Sequence, residues 1–197
     1  MLLAFLAAMP NDPDNDVRLM SRARRGDQQA IIQIYETYFD PIYQFIRWRV
    51  NDLAVVEDLT SEVFIEFLNA LNSQQAPRQS LRGWLFRVTR NILYDHYNHA
   101  VITDELDDQW PNPDAADLEA RLHHTMEIDR VRQSLQQLAP DQQEVLVLRF
   151  DQMLSLRDTA EIMGKSLNAI KSLQFRGINA LRRVLEQTPS GVDRDPS

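Results

Sequence analysis

The 197-residue chain reads as all-α: two helical modules joined by an acidic, flexible linker. Three observations carry that reading. Apolar residues recur at helical spacing through about 14–100 and again through about 122–187, without alternating runs and with only five glycines. Between them, "TDELDDQWPNPDAADLEA" (103–120) holds two prolines and no basic residue, the composition of an exposed tether. In "SLRDTAEIMGKSLNAIKSLQFRG" (155–177) a helix of about two turns stops at Gly164 and another begins three residues later. Glycine costs roughly 1 kcal/mol in a helix interior, so a sharp corner is favoured over one continuous helix. The expected divisions are a disordered leader at 1–13, a first module at 14–100, the linker at 101–121, a second module at 122–187 and a disordered tail at 188–197.

Charge and composition set the outer limits. The net charge of −8 is unpromising for a nucleic-acid binder until its distribution is considered, because the acids crowd the linker. Cysteine is absent, which excludes disulfides, thiolate metal sites and thiol catalysis. The opening "MLLAFLAAM" is too short to span a bilayer and lacks the positive flank of a signal peptide.

In the first module, Asp16 and Asp27 are candidate helix caps, and Gly26 closes the first short helix. Ile31, Ile34, Tyr35, Tyr38 and Phe39 carry the apolar pattern to Pro41, after which Ile42, Phe45 and Ile46 resume it; the aromatics here are expected in the core. In "DLAVVEDLTSEVFIEFLNAL" (52–71) the buried stripe is Val55, Leu59, Val63 and Phe67. Beside it Asp58, Glu62 and Glu66 stand at successive i, i+4 steps, which disfavours an isolated helix and suits a dock for a basic protein surface. A solvated acidic face is the plainer reading of the same pattern.

In "SLRGWLFRVTRNILYDHYNH" (80–99) Ser80 caps, while Leu81, Leu85, Val88 and Ile92 face inward. The other side presents Arg87, Arg90, Asn91 and Tyr94, with Trp84 at its margin. Cations interleaved with aromatics suit stacking on unpaired bases with phosphate contacts alongside. An amphipathic helix with snorkelling arginines reads the same way.

The second module opens with an Ile128, Val131, Leu135, Leu138 stripe, a first-turn Pro140 and a buried face from Val145, Leu146 and Leu148. Ser155 and Asp158 form a capping-box pattern, Gly164 suits the left-handed position after the helix, and Ser166 caps the next. On that last helix Ile170, Leu173, Gly177, Ala180, Leu181 and Val184 gather on one side. Asn168, Ser172, Phe175, Arg176, Asn179 and Arg183 gather on the other, with Lys171 and Arg182 at its edge. Amides and hydroxyls for base edges beside cations for phosphates are what a helix entering the DNA major groove presents.

These stretches together resemble the extracytoplasmic-function sigma factors, group 4 of the sigma-70 family of RNA polymerase initiation subunits. The resemblance covers about 16–187. "DLTSEVFIEFLNAL" resembles the family's polymerase-clamp helix and "LRGWLFRVTRNILYDHY" its promoter-melting helix. "LAPDQQEVLVLRF" with "LSLRDTAEIMGKSLNAIKSLQFRGINALRRVL" resembles the domain that reads the minus-thirty-five element. The resemblance implies a region 2-like bundle and a region 4-like helix-turn-helix. It implies core polymerase contacts at Asp58, Glu62, Phe64 and Glu66, and minus-ten contacts at Arg82, Trp84, Arg87, Arg90, Asn91 and Tyr94. Minus-thirty-five contacts fall to Ser166, Asn168, Lys171, Ser172, Phe175 and Arg176. The implied partners are core RNA polymerase, through its beta-prime clamp and beta flap, promoter DNA and an anti-sigma factor. The implied location is the cytoplasm, without membrane contact and without a cofactor.

Two other classes explain less. A stand-alone helix-turn-helix regulator with a helical sensor domain accounts for 126–186 but not for the cationic, aromatic helix at 80–97. An enzyme would draw on Asp95, His96 and His99 or on His123 and His124, yet no partner motif for a metal accompanies them. No metal site and no catalysis are expected.

Overall fold

The computed structural model describes residues 13–73, 75–77, 80–102 and 130–187, and among these all regular structure is helical. Helices α1 (Pro13–Ala23), α2 (Gln28–Arg47), α3 (Leu53–Asn72) and α4 (Leu81–Ile102) build the first module. A helical segment α5 (130–136), α6 (Pro140–Leu146), a π-helical turn (Val147–Asp151), α7 (Leu156–Met163) and α8 (Leu167–Gln187) build the second. The expected leader up to residue 12, the tail, residues 103–121 of the linker and Ile128 lie outside the described residues, while Pro13, expected in the leader, opens α1 and 101–102, expected in the linker, continue α4.

Short polar side chains start the helices. Asp27 accepts from the backbone N–H groups of Gln29 and Ala30 at 3.0 and 3.3 Å, and Asp52 from those of Ala54 and Val55 at 2.8 and 3.3 Å. Asp16 is not a cap, because α1 already begins at Pro13. Its carboxylate instead accepts the Tyr38 hydroxyl at 2.6 Å, tying α1 to α2, and burial together with this carboxylate holds that hydroxyl far above its ordinary titration range. Pro41 does not divide α2, which runs unbroken through it, with Ala30, Ile34, Tyr38, Ile42, Phe45 and Ile46 buried along one face.

Phe45 meets Phe86 edge-on at 5.2 Å between ring centres. On α3 the buried stripe is Val56, Leu59, Val63 and Phe67; Val55 sits at its half-buried margin. Thr60 and Thr89 are fully buried without a polar penalty, since their hydroxyls donate to the carbonyls of Val56 and Leu85 one turn back.

In the second module the expected corner is present in full. Ser155 and Asp158 form a reciprocal capping box, Gly164 adopts φ +62° in the left-handed region, and Ser166 accepts the Ala169 N–H at 3.2 Å. Gly177 lets α8 lie close on α6: a β-carbon there would fall 3.2 Å from both the Gln142 carbonyl oxygen and Leu146 Cγ.

The modules also pack on each other. Helix α7 rests against α4, the π turn rests against α2, and the buried apolar residues of both modules form one cluster. The run Val145, Leu146, Val147, Leu148 is buried at every position, which one face of an α-helix cannot achieve. Burial on two sides, with the wider π turn beginning at Val147, accounts for it.

Candidate nucleic-acid and polymerase interfaces

The corner at Gly164 sets the N-terminal half of α8 outward. Ser166, Asn168, Lys171, Ser172, Phe175 and Arg176 are all exposed, Phe175 to 69%. Ile170, Leu173 and Gly177 are buried behind them, as the helical sorting of the sequence requires. From the helix side, Arg149 donates to the Gln174 amide oxygen at 3.1 Å and braces α8 against the π turn. Lys165 pairs with Asp141 at 3.0 Å and holds the corner to α6. The result is a rigid helix presenting hydroxyl, amide and cationic groups from one side.

On α3, Asp58, Glu62 and Glu66 are exposed in a row. Phe64 differs: it is only 6% exposed, with its ring 4.7 Å from that of Tyr35 and 6.4 Å from that of Phe39. Around it, Ile32, Tyr35, Ile65 and Leu68 face solvent and make an apolar shelf beside the acids. Sequence reasoning placed the tyrosine in the core and passed over Ile65 and Leu68. The signal was there in "VFIEFL", which holds more apolar residues than one buried stripe can use.

The six residues singled out on and before the exposed side of α4 do not share one open surface. Asn91 and Tyr94 are exposed, Tyr94 to 67%. Trp84 is half-buried, edge-on to Phe67 at 6.1 Å. Arg82 is only 7% exposed and donates to the carbonyl oxygen of Gln152. Arg87 pairs with Glu161 at 3.1 Å and Arg90 with Glu144 at 2.9 Å, both partners belonging to the second module. Of the histidines weighed as ligands, His96 lies against Tyr97, and among the described residues no group of three His, Cys, Asp or Glu could hold a metal ion. Nor is any described helix long and apolar enough to cross a membrane.

Comparison with known proteins places both modules. Residues 34–101 match the family model described as sigma-70 region 2, and residues 134–183 match sigma-70 region 4. Over 186 residues the chain is 35% identical to the ECF RNA polymerase sigma factor BldN of Streptomyces coelicolor, spanning 90% of this chain and 69% of that protein. The chain belongs to the ECF sigma factors of the sigma-70 family. Solved structures agree on the fold. One chain in the structure of CnrH in complex with the cytosolic domain of CnrY superposes with a TM-score of 0.71 at 24% identity, covering 89% of this chain and 100% of that one. Another, in the co-crystal structure of the sigma factor RpoE with the anti-sigma factor NepR from Bartonella quintana, gives 0.63 at 22% identity, covering 82% and 97%. The acid row on α3 and the cationic side of α4 thus fall within this sigma factor's region 2, and the α7–α8 corner within its region 4. A stand-alone regulator accounts for the second of these matches and not the first.

Proposed function

We propose that this sigma factor divides promoter initiation between its modules at about 14–100 and 122–187, in the cytoplasm, with the following residues in contact. Asp58, Glu62 and Glu66, with Ile65 and Leu68 beside them and Phe64 behind, dock on the clamp of core RNA polymerase. Arg87, Arg90, Asn91 and Tyr94, with Trp84 and Arg82 at the margin, hold the opened minus-ten strand. Ser166, Asn168, Lys171, Ser172, Phe175 and Arg176 read the minus-thirty-five duplex. The beta flap is the second polymerase contact and an anti-sigma factor the further partner that the family resemblance implies; no cofactor is called for.

The observation that supports this reading best is the exposed half of α8. Polar groups short enough to reach base edges stand on the first two turns, cations flank them, and the buried side is fully used by the core. Helices built this way place their N-terminal residues on bases and their cations on phosphates. The acid row gains support from its apolar neighbours, because charge beside exposed apolar surface is the usual make-up of a protein interface.

Abortive transcription with purified core polymerase tests the division. Promoters come from mapping transcript starts after overexpression. Initiation is expected to depend on the chain, and Glu62→Lys is expected to weaken core binding in a titration while leaving helix content unchanged; reversal of a charge across a desolvated contact costs up to several kcal/mol. Unchanged affinity would remove α3 from the interface.

A further inference from the structure

The turn between α1 and α2 holds the loop that leads into α4. Arg24 follows Ala23, the last residue of α1, and its backbone N–H still donates to the Met20 carbonyl oxygen at 3.1 Å. The turn beyond it is closed. The N–H groups of Gly26 and Asp27 donate to the Ala23 and Arg22 carbonyl oxygens at 2.9 and 3.2 Å, and the Arg22 guanidinium donates to the Asp27 carboxylate at 2.7 Å. Gly26, at φ +81°, makes the corner. Arg24 therefore projects from a fixed base. Its guanidinium reaches 52 positions along the chain to the carbonyl oxygen of Ala76, donating at 3.2 Å, and donates to that of Pro77 as well.

Those two carbonyls belong to consecutive residues of the loop before α4. Ala76 is buried in the core cluster, and Pro77 has no N–H of its own to pair. A planar guanidinium carries donors spaced for two neighbouring acceptors, which a lysine ammonium does not. Three peptide links, roughly 11 Å at full stretch, separate Pro77 from Ser80, so the anchor limits where α4 can begin. Ser80 accepts the Gly83 N–H on its hydroxyl at 3.0 Å and the Trp84 N–H on its carbonyl at 3.1 Å. It also opens a stripe. Ser80, Trp84, Arg87, Asn91 and Tyr94 follow at three- and four-residue steps, each exposed or half-exposed.

We propose that Arg24 is a positioning residue for capture of the opened minus-ten strand. From the α1–α2 corner it pins the loop backbone, and the pinned loop sets Ser80 and Trp84 at the leading end of the strand-holding stripe. In this role Arg24 touches no base and no phosphate. The proposal rests on the reading of α4 as the strand-holding helix.

The test is binding of the holoenzyme to a fluorescein-labelled single strand spanning the mapped minus-ten element, with each base of the element substituted in turn. Arg24→Ala should weaken binding of the parent strand by roughly fivefold, with helix content and core affinity unchanged. Discrimination should flatten at the bases of one end of the element, those held near Ser80 and Trp84. Asn91→Ala with Tyr94→Ala should act at the other end. Arg24→Lys, which keeps donors without the fork, should fall between the native chain and Arg24→Ala. Arg25→Ala removes the same charge from the same exposed corner and should bind the strand like the native chain. In the free chain, the Gln75 N–H donates to the Ala70 carbonyl oxygen at 2.9 Å, and Arg24→Ala should speed its exchange with solvent.

Native-like strand affinity of Arg24→Ala, an equal loss from Arg25→Ala, a loss spread evenly over the element, or unchanged exchange at Gln75 would each overturn the proposal. If instead the reading of α4 is what fails, Asn91→Ala with Tyr94→Ala also binds the strand like the native chain, while Arg24→Ala still speeds exchange at Gln75.

Discussion

Gly164 shows how a single residue carries the duplex-reading half of this protein. Its φ of +62° lies in the left-handed region, and apart from its own local backbone no atom stands within 4 Å of where a β-carbon would be. The cost of replacing it is thus conformational rather than steric. Gly164→Val is expected to destabilise the second module by about 1–2 kcal/mol, read as a lowered midpoint in thermal or urea unfolding. Asn168 and Lys171 lie about one and two turns further on, exposed and away from the core. Asn168→Ala should leave folding intact and change preference at individual promoter positions, at about 1–3 kcal/mol for each lost base contact. Lys171→Ala should weaken binding across all sequences and shallow its salt dependence, as loss of a phosphate contact does. Binding of the holoenzyme to a set of point-substituted promoters at several salt concentrations separates the two. At this scale the sequence was highly legible: caps, capping box and left-handed glycine follow from local chemistry. Asp16 was misjudged because its partner, the Tyr38 hydroxyl, lies 22 positions away.

The elements were legible wherever one face is buried and one is wet. Except at Asn179, which is half-buried like Ala180, Leu181 and Val184, the sorting of α8 into two sides agrees with its burial, because a single apolar stripe leaves one solution. Helix α4 was harder. Its two sides were assigned correctly from periodicity, yet Arg82, Arg87 and Arg90 face a second protein surface rather than water, and periodicity cannot tell one from the other. Asn91 and Tyr94 are the part of that side left open, so they test the strand-holding reading without disturbing the ion pairs. Asn91→Ala with Tyr94→Ala should impair open-complex formation on duplex promoters, with about 1–3 kcal/mol attached to each stacked base. A template pre-opened at the minus-ten element should partly restore it. Permanganate footprints identical to those of the native chain would place strand separation elsewhere.

At the scale of the whole molecule, the docking of the modules is what local reasoning could not supply. Its trace in the sequence is the run Val145–Leu148, apolar at four consecutive positions where a helix with one covered face needs only two or three. Two largely buried carboxyls lie near the contact between the modules. Burial pushes the Glu144 carboxyl above its ordinary value of 4.5, with Asp141 adding to the rise and Arg49 and Arg90 only partly opposing it. Burial likewise raises Asp151 above 3.8, against hydrogen bonds from Gln152 and Trp48 and the charge of Arg49.

A carboxyl whose value is raised in the folded chain binds protons more readily there than in the unfolded one. These carboxyls therefore cost folding stability at neutral pH, a cost fully present above the raised values and relieved as pH falls toward the ordinary carboxylate range. The unfolding midpoint of Glu144→Gln should fall less than that of the native chain between pH 5 and pH 8; an identical pH dependence would contradict this. A net charge of −8 makes the isolated chain a poor ligand for DNA.

The most direct measurement is a titration of a mapped duplex promoter with the free chain and with the chain bound to core polymerase, both at physiological salt. Weak, sequence-indifferent binding by the free chain and tight, promoter-specific binding by the complex is the predicted result. Tight, sequence-specific binding by the isolated chain would contradict it.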